Sequence, residues 1–134
     1  MADWRDIARD NLKAAQALSK TPHLRSCASR AYYAAFSAVT FALSSHARSG
    51  RGHETPAHQA VPGLLEKHLE AKLGARRLTN VKKMMRRLYN ERLSADYRSG
   101  LTLDDRSIRQ SLRDAFSVCV ELGIEPGGQH AGRG

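Results

Sequence analysis

The stretch Ala28–Leu43, which reads ASRAYYAAFSAVTFAL, decides the fold class. Wound as a helix it is apolar on nearly every side, and a helix without a polar face belongs at the centre of a bundle. Its many alanines let neighbouring helices approach closely. We therefore predict a central helix over about residues 22–46, with Thr21 as its cap and Pro22 at its first helical position.

The rest of the chain is typical of amphipathic helices, because apolar residues recur at spacings of three and four. No run of β-branched residues alternates long enough to indicate a strand. We predict an all-α fold, an up-and-down bundle of four to five helices. The other helices are expected from Asp3 to about Ser19, from Thr55 to Gly74, over about 78–96 and from Asp104 to Leu122.

Capping signals support these limits. Asp3 is a plausible N-cap of the first helix, and Thr102 and Asp105 have the spacing of a capping box for the last one. Gly123 is a natural stop. We expect one helical domain over residues 1–123, followed by a disordered Gly-rich tail over 124–134, with a polar, mobile loop over 46–55.

The composition indicates a single basic domain with a polyanionic partner. The 134 residues include 22 Lys and Arg against 13 Asp and Glu, a formal net charge of +9. Such an excess favours nucleic acid, a nucleotide or an acidic protein as partner. Two cysteines without metal-ligand spacing favour a reduced compartment. The charged N-terminus lacks an apolar signal region and no stretch could span a bilayer, so we expect a cytoplasmic protein without membrane contact.

The basic excess is concentrated between Lys72 and Arg98. This segment contains nine Lys and Arg and two acidic residues, so it carries +7 of the net charge. Like charges four residues apart repel on one helix flank. Such a segment either presents its charge to an anion or is a solvated face neutralised by salt. The residues that we expect to bind RNA are Lys82, Lys83, Arg86, Arg87 and, from the central helix, Arg30.

Few chemical motifs are present. There is no Gly-x-Ser-x-Gly elbow, no phosphate-binding P-loop and no dinucleotide glycine fingerprint. Three histidines, His53, His58 and His68, without partnering cysteines or acids make a weak metal case, and we expect no metal and no cofactor.

Two charged groups remain as candidates for a functional site. Arg30 adjoins a highly apolar stretch and needs a partner if it is buried, Asp96 being one candidate. Arg92 and Asp96 are four residues apart, with Tyr97 where the helix ends. They form either a site or a salt bridge beside a packed tyrosine.

The stretch Ser29–Phe36, SRAYYAAF, and the segment Arg92–Tyr97, RLSADY, together resemble the HEPN family (higher eukaryotes and prokaryotes nucleotide-binding domain). A segment with His58 lies between them, and the resemblance covers about residues 3–122. It implies a four- or five-helix bundle, frequent homodimerisation, and RNA cleavage in toxin–antitoxin or antiviral systems. Some members are instead inactive partners of small nucleotidyltransferases.

The resemblance also implies a mechanism and candidate catalytic residues. Active members carry Arg, four to six residues and then His. Without a metal, an RNA 2′-hydroxyl attacks the adjacent phosphorus, the histidine moves protons and the arginine stabilises the phosphorane. Arg92 matches the arginine, but Tyr97 stands where the histidine would be, and only about one free tyrosine in a thousand is ionised at pH 7. A proton shuttle could come instead from His58, His53 or His46 if the loop folds over the cleft. The candidate catalytic residues are Arg92, Asp96, Tyr97 and His58.

Three hypotheses follow for the function. The chain is an RNA-cleaving toxin or defence effector, or a non-catalytic module that binds RNA, a nucleotide, a nucleotidyltransferase or an antitoxin, or a structural dimer. A cleft shared by two protomers would need a symmetric homodimer, to which the second and fourth helices would contribute.

Overall fold

The computed structural model describes residues 3–44, 58–97 and 104–125. Within these ranges the chain forms five α-helices, a short 3₁₀ turn and no strand, which confirms the predicted all-α bundle. The helices are α1 (Trp4–Leu18), α2 (Leu24–Ser44), α3 (Val61–Leu73), α4 (Ala75–Tyr97) and α5 (Asp105–Glu121), and the 3₁₀ turn His58–Ala60 leads directly into α3.

The central place predicted for α2 is confirmed, since this helix contacts each of the other four. Six of its alanines are buried in the core. Small side chains leave room for neighbouring backbones, so several helices can pack around one. The six are Ala28, Ala31, Ala34, Ala35, Ala38 and Ala42.

Carboxylates cap the first and last helices. Asp3 accepts a hydrogen bond from the backbone N–H of Asp6 at 3.0 Å, as the sequence predicts. At α5 the cap is Asp104, which accepts from the N–H of Ser107 at 2.9 Å. The capping box predicted from Thr102 and Asp105 is therefore replaced by a single Asp cap, and Thr102 itself lies outside the described residues.

Two helices begin later than their proline signals predict. At the start of α2 the Thr21 hydroxyl accepts from the N–H of His23 at 3.0 Å, and the helix begins at Leu24, beyond Pro22. Pro62 lies in the first turn of α3, where its missing N–H costs no helical hydrogen bond. The expected start at Thr55 and the predicted loop over 46–55 lie outside the described residues. Helix α3 itself starts at Val61.

Glycines end α3 and α5 as predicted, with φ near +85° at Gly74 and Gly123. After α5 the N–H of Ile124 donates to the carbonyl of Cys119 at 2.8 Å, and that of Gly123 to Val120 at 3.1 Å. This is the double hydrogen-bond pattern of a Schellman motif. Ile124, which the sequence assigned to the tail, is 1% exposed and packs into the core, while residues 126–134 lie outside the described part.

In α5 the spacing of the apolar residues predicts one inward face made of Ile108, Leu112, Ala115, Phe116 and Cys119. Ile108, Ala115 and Cys119 are buried, but Phe116 is 38% exposed. Asp114 of this helix is a buried charged residue, 3% exposed, which accepts two hydrogen bonds from Arg87 of α4 at 2.8 and 2.9 Å. This ion pair ties α4 to α5.

Candidate active site

Arg92, in the last two turns of α4, lies over two aromatic rings of the central helix. Its guanidinium carbon is 5.4 Å from the ring centroid of Tyr32 and 5.1 Å from that of Tyr33. Tyr32 is 3% exposed, whereas Tyr33 is 38% exposed. Cation–π contacts at these distances stabilise a guanidinium that is partly removed from water. The α2–α4 contact thus holds a positive charge at the edge of the core.

The 3₁₀ turn brings His58 to the same rings. Its Nδ1 lies 2.9 Å from the Tyr32 hydroxyl, a hydrogen-bond distance. On α4, the ring of Tyr89 stacks on the imidazole with 3.4 Å between centroids and 21° between planes. Since α3 follows directly, the start of that helix fixes the position of the imidazole. We call Tyr32, Tyr33, His58, Tyr89 and Arg92 the Arg92 cluster.

The protonation states within the cluster follow from burial and from the arginine. Burial raises the pKa of Tyr32 to about 12, an effect that the positive charge of Arg92 partly opposes. Burial, and secondarily the charge of Arg92, lowers the pKa of His58. At neutral pH the cluster therefore contains a protonated phenol, a neutral imidazole and a guanidinium cation.

These groups suit chemistry on an anion. A neutral imidazole can accept a proton, and a guanidinium can bind a phosphate and stabilise charge that develops on it. In the tautomer in which Nδ1 of His58 donates to the Tyr32 hydroxyl oxygen, Nε2 is the ring nitrogen that can accept a proton. Tyr32 orients the imidazole, as an acid or amide does in many histidine-containing sites.

The family model of the HEPN domain matches residues 1–123, nearly the whole described chain. The chain belongs to the HEPN family. Membership supports a nucleotide- or RNA-related function in general. No curated protein and no solved structure matches the chain significantly.

Two of the four predicted catalytic residues of this HEPN chain meet in the cluster. Arg92 and His58 both contact Tyr32, the first at its ring and the second at its hydroxyl. Asp96 and Tyr97 lie in the last turn of α4, but their side chains are outside the described part of the molecule. Their contribution to the cluster stays a prediction.

The residues predicted to bind RNA differ in whether they form an ion pair within the bundle. Lys82 pairs with Glu66 of α3 at 2.5 Å, and Arg87 with Asp114. Lys83 and Arg86 are exposed on α4. Part of the basic segment therefore balances acids of the bundle itself.

The remaining predicted RNA-binding residue, Arg30, lies apart from α4. It is exposed on α2 and donates to Asn11 Oδ1 of α1 at 3.0 Å. The sequence proposed a partner for it only if it were buried, with Asp96 as a candidate. Exposure removes that need.

Sequence reasoning did not assign the three tyrosines of the cluster to a site. Tyr32 and Tyr33 belong to the SRAYYAAF stretch that carries the resemblance, so the signal was present but was treated as part of the fold. The spacing of the apolar residues in α4 predicts Tyr89 on the inward side of that helix. Only the structure shows that it stacks on His58.

Within residues 3–44, 58–97 and 104–125, no three His, Cys, Asp or Glu side chains come together as a metal site would require. None of the helices described is both long and apolar enough to cross a membrane.

Proposed function

We propose that this HEPN chain binds RNA and cleaves it without a metal ion, as a toxin or antiviral defence effector. The observation that carries the proposal is that Arg92 and a neutral His58 both contact Tyr32. These are the two kinds of group that phosphodiester transesterification needs, and they come from separate segments of the chain.

The reaction that fits these groups is an internal transfer. The RNA 2′-oxygen forms a bond to the adjacent phosphorus while the bond from phosphorus to the 5′-oxygen breaks. His58 accepts the 2′-hydroxyl proton, the 5′-oxygen takes up a proton from an acid or from water, and Arg92 stabilises the negative charge on the phosphorane. The products are a 2′,3′-cyclic phosphate and a 5′-hydroxyl.

A test of the reaction uses mixed RNA with excess EDTA and analyses the fragment ends. We expect 2′,3′-cyclic phosphate and 5′-hydroxyl ends from the wild-type protein. His58→Gln should slow cleavage by about 10²-fold or more, the range for loss of a general base. Linear 3′-phosphate ends, or cleavage that EDTA abolishes, would contradict this mechanism.

A second candidate function has its own support in the sequence. Tyr97 occupies the position where active members carry histidine, which favours a non-catalytic HEPN module that binds RNA, a nucleotide or a nucleotidyltransferase. Salt-sensitive RNA binding without cleavage in the same assay would favour this alternative. A stable complex with a nucleotidyltransferase or antitoxin and no affinity for RNA would favour its partner-binding form.

A further inference from the structure

A cavity of about 100 Å³ lies between α3 and α4, beside the Arg92 cluster. His58 and Tyr89, the stacked pair of the cluster, are among its lining residues, together with the aliphatic side chains of Val61, Leu65 and Met85. Leu65 is fully buried, and Val61 and Met85 are nearly so. The cavity is therefore apolar, bordered by flat rings, and too small for a whole nucleotide.

A cation adjoins this apolar space. Arg86 lines the cavity and is exposed, and among the described residues no acid lies within ion-pair distance of it. The other lining cation, Lys82, differs because Glu66 holds it. An apolar slot with one available guanidinium matches a planar ring that carries an anionic group.

We propose that the cavity is a nucleobase subsite, in which the base of a nucleotide enters beside the His58–Tyr89 pair and Arg86 contacts a phosphate. Stacking against aromatic rings accounts for most base affinity in proteins that bind single strands, and it tolerates any base. Because His58 and Tyr89 belong to both sites, a strand held at Arg92 passes the cavity mouth. This subsite rests on the proposed function for its RNA strand, but free nucleotides test it alone.

The first experiment follows NMR signals of the Met85 methyl group and the His58 ring during titration. The probes are nucleoside 5′-monophosphates, with ribose 5-phosphate and inorganic phosphate as controls that lack the base. We expect saturable shifts with the nucleotides and none of comparable size with the controls. Equal shifts for ribose 5-phosphate would show phosphate binding only and would overturn the subsite.

Variants then separate the base from the phosphate. Leu65→Phe fills the cavity and should abolish the nucleotide shifts, whereas Leu64→Phe, on the same helix but outside the cavity lining, should keep them. Arg86→Ala leaves the core untouched and should weaken nucleotide binding about tenfold, as loss of a charged hydrogen bond does. The matched control Arg76→Ala, at an exposed arginine of the same helix outside the cavity lining, should leave the affinity unchanged.

The outcomes distinguish this inference from the proposed function. RNA cleavage without nucleotide shifts at Met85 and His58 would overturn the subsite and leave the ribonuclease proposal intact. Nucleotide shifts that disappear in Leu65→Phe, in a protein that does not cleave RNA, would support the subsite and contradict the ribonuclease. Arg86→Ala with unchanged affinity would overturn the assignment of the phosphate contact.

Discussion

At the scale of single residues, the Arg92 cluster stabilises a positive charge at the edge of an apolar core. A guanidinium is weakly hydrated and planar, so it packs over the rings of Tyr32 and Tyr33 where an ammonium would lose its water shell. Arg92→Lys retains the charge but loses the planar contact. The arginine, not merely a positive charge, is therefore what this position requires.

The first prediction concerns His58 and pH. Its folded-state pKa lies below the ordinary 6.5, so the unfolded chain binds a proton at higher pH than the folded chain does. The contribution to stability is present above about pH 6.5 and is lost as the pH falls through the lowered pKa. We expect the free energy of unfolding, measured with urea, to decrease from pH 7.5 to about pH 5.5 in the wild type and less so in His58→Gln.

The control for this prediction is His23→Gln, at an exposed residue before α2. It should keep the wild-type dependence of unfolding free energy on pH. An identical pH dependence in His58→Gln and the wild type would mean that the imidazole is not held in its neutral form by the fold.

The sequence alone predicts only part of the Arg92 cluster. The identities of Arg92 and His58 as candidates came from residue type, spacing and family resemblance. Their common neighbour, Tyr32, could not be found that way, because spacing within one helix carries no information on which residue of another helix lies opposite. The hydrogen bond between Tyr32 and His58 joins residues 26 apart, and no pattern predicted the 3₁₀ turn that places His58 there.

At the scale of helices, α4 combines two roles. One side supplies core residues such as Leu88 and Val81, and the rest carries the basic charge. Arg87 belongs to neither group alone, since its guanidinium makes a two-pronged contact with the buried carboxylate of Asp114. Gln110 donates to the same carboxylate at 2.9 Å.

This contact gives a second prediction. Arg87→Met should lower the free energy of unfolding by about 1–2 kcal/mol, since it removes two of the three hydrogen bonds described for the buried Asp114 carboxylate. The half-exposed position of Arg87 places the effect in the lower part of the usual range. The matched control Lys83→Met, at an exposed residue without such a contact, should stay within about 0.5 kcal/mol of wild type. Equal effects in both variants would contradict a structural role for the ion pair.

A third prediction concerns the alanines of α2. Ala34→Leu places a larger side chain where the exposed fraction is zero, and overpacking of this kind costs about 1–3 kcal/mol. Ala17→Leu, the same change on the exposed side of α1, should have little effect. Thermal denaturation of both variants checks this. A wild-type melting temperature in Ala34→Leu would mean that neighbouring helices do not approach α2 closely.

The helix order and the central position of α2 were the most predictable parts of the fold, because an all-round apolar pattern has only one place in a bundle. Helix starts were the least predictable. Proline fixes its own φ but does not set how many residues precede the helix. Helix α2 begins at Leu24, after Pro22, whereas α3 begins at Val61, directly before Pro62. The exposure of Phe116 depends on how α5 is rotated against its neighbours, which the period alone does not fix.

At the scale of the whole molecule, we propose a homodimer with a cleft shared by two Arg92 clusters. Tyr33, next to Arg92, is one of the large apolar residues that the described surface exposes, and α2 and α4 carry the cluster. Phe116 and Val120, both on α5, are exposed as well. A dimer formed through α2 and α4 would cover Tyr33, whereas a dimer formed through α5 would cover Phe116 and Val120.

The fourth prediction separates them by mass. Light scattering at micromolar concentration should show a dimer for the wild type and for Val120→Glu, since an interface through α2 and α4 leaves α5 free. A monomer for Val120→Glu alone would place the interface on α5. A monomeric wild type would contradict a composite site.

The central claim is that Arg92 stabilises the transition state of RNA cleavage, and the most direct measurement is the cleavage rate of Arg92→Ala in EDTA beside that of Arg76→Ala. Arg76 is an exposed cation of the same helix, about 24 Å away along its axis. We predict a rate reduced by about 10²–10³-fold in Arg92→Ala, with the helical circular dichroism retained, and a wild-type rate in Arg76→Ala. Equal rates for the two variants would contradict the account.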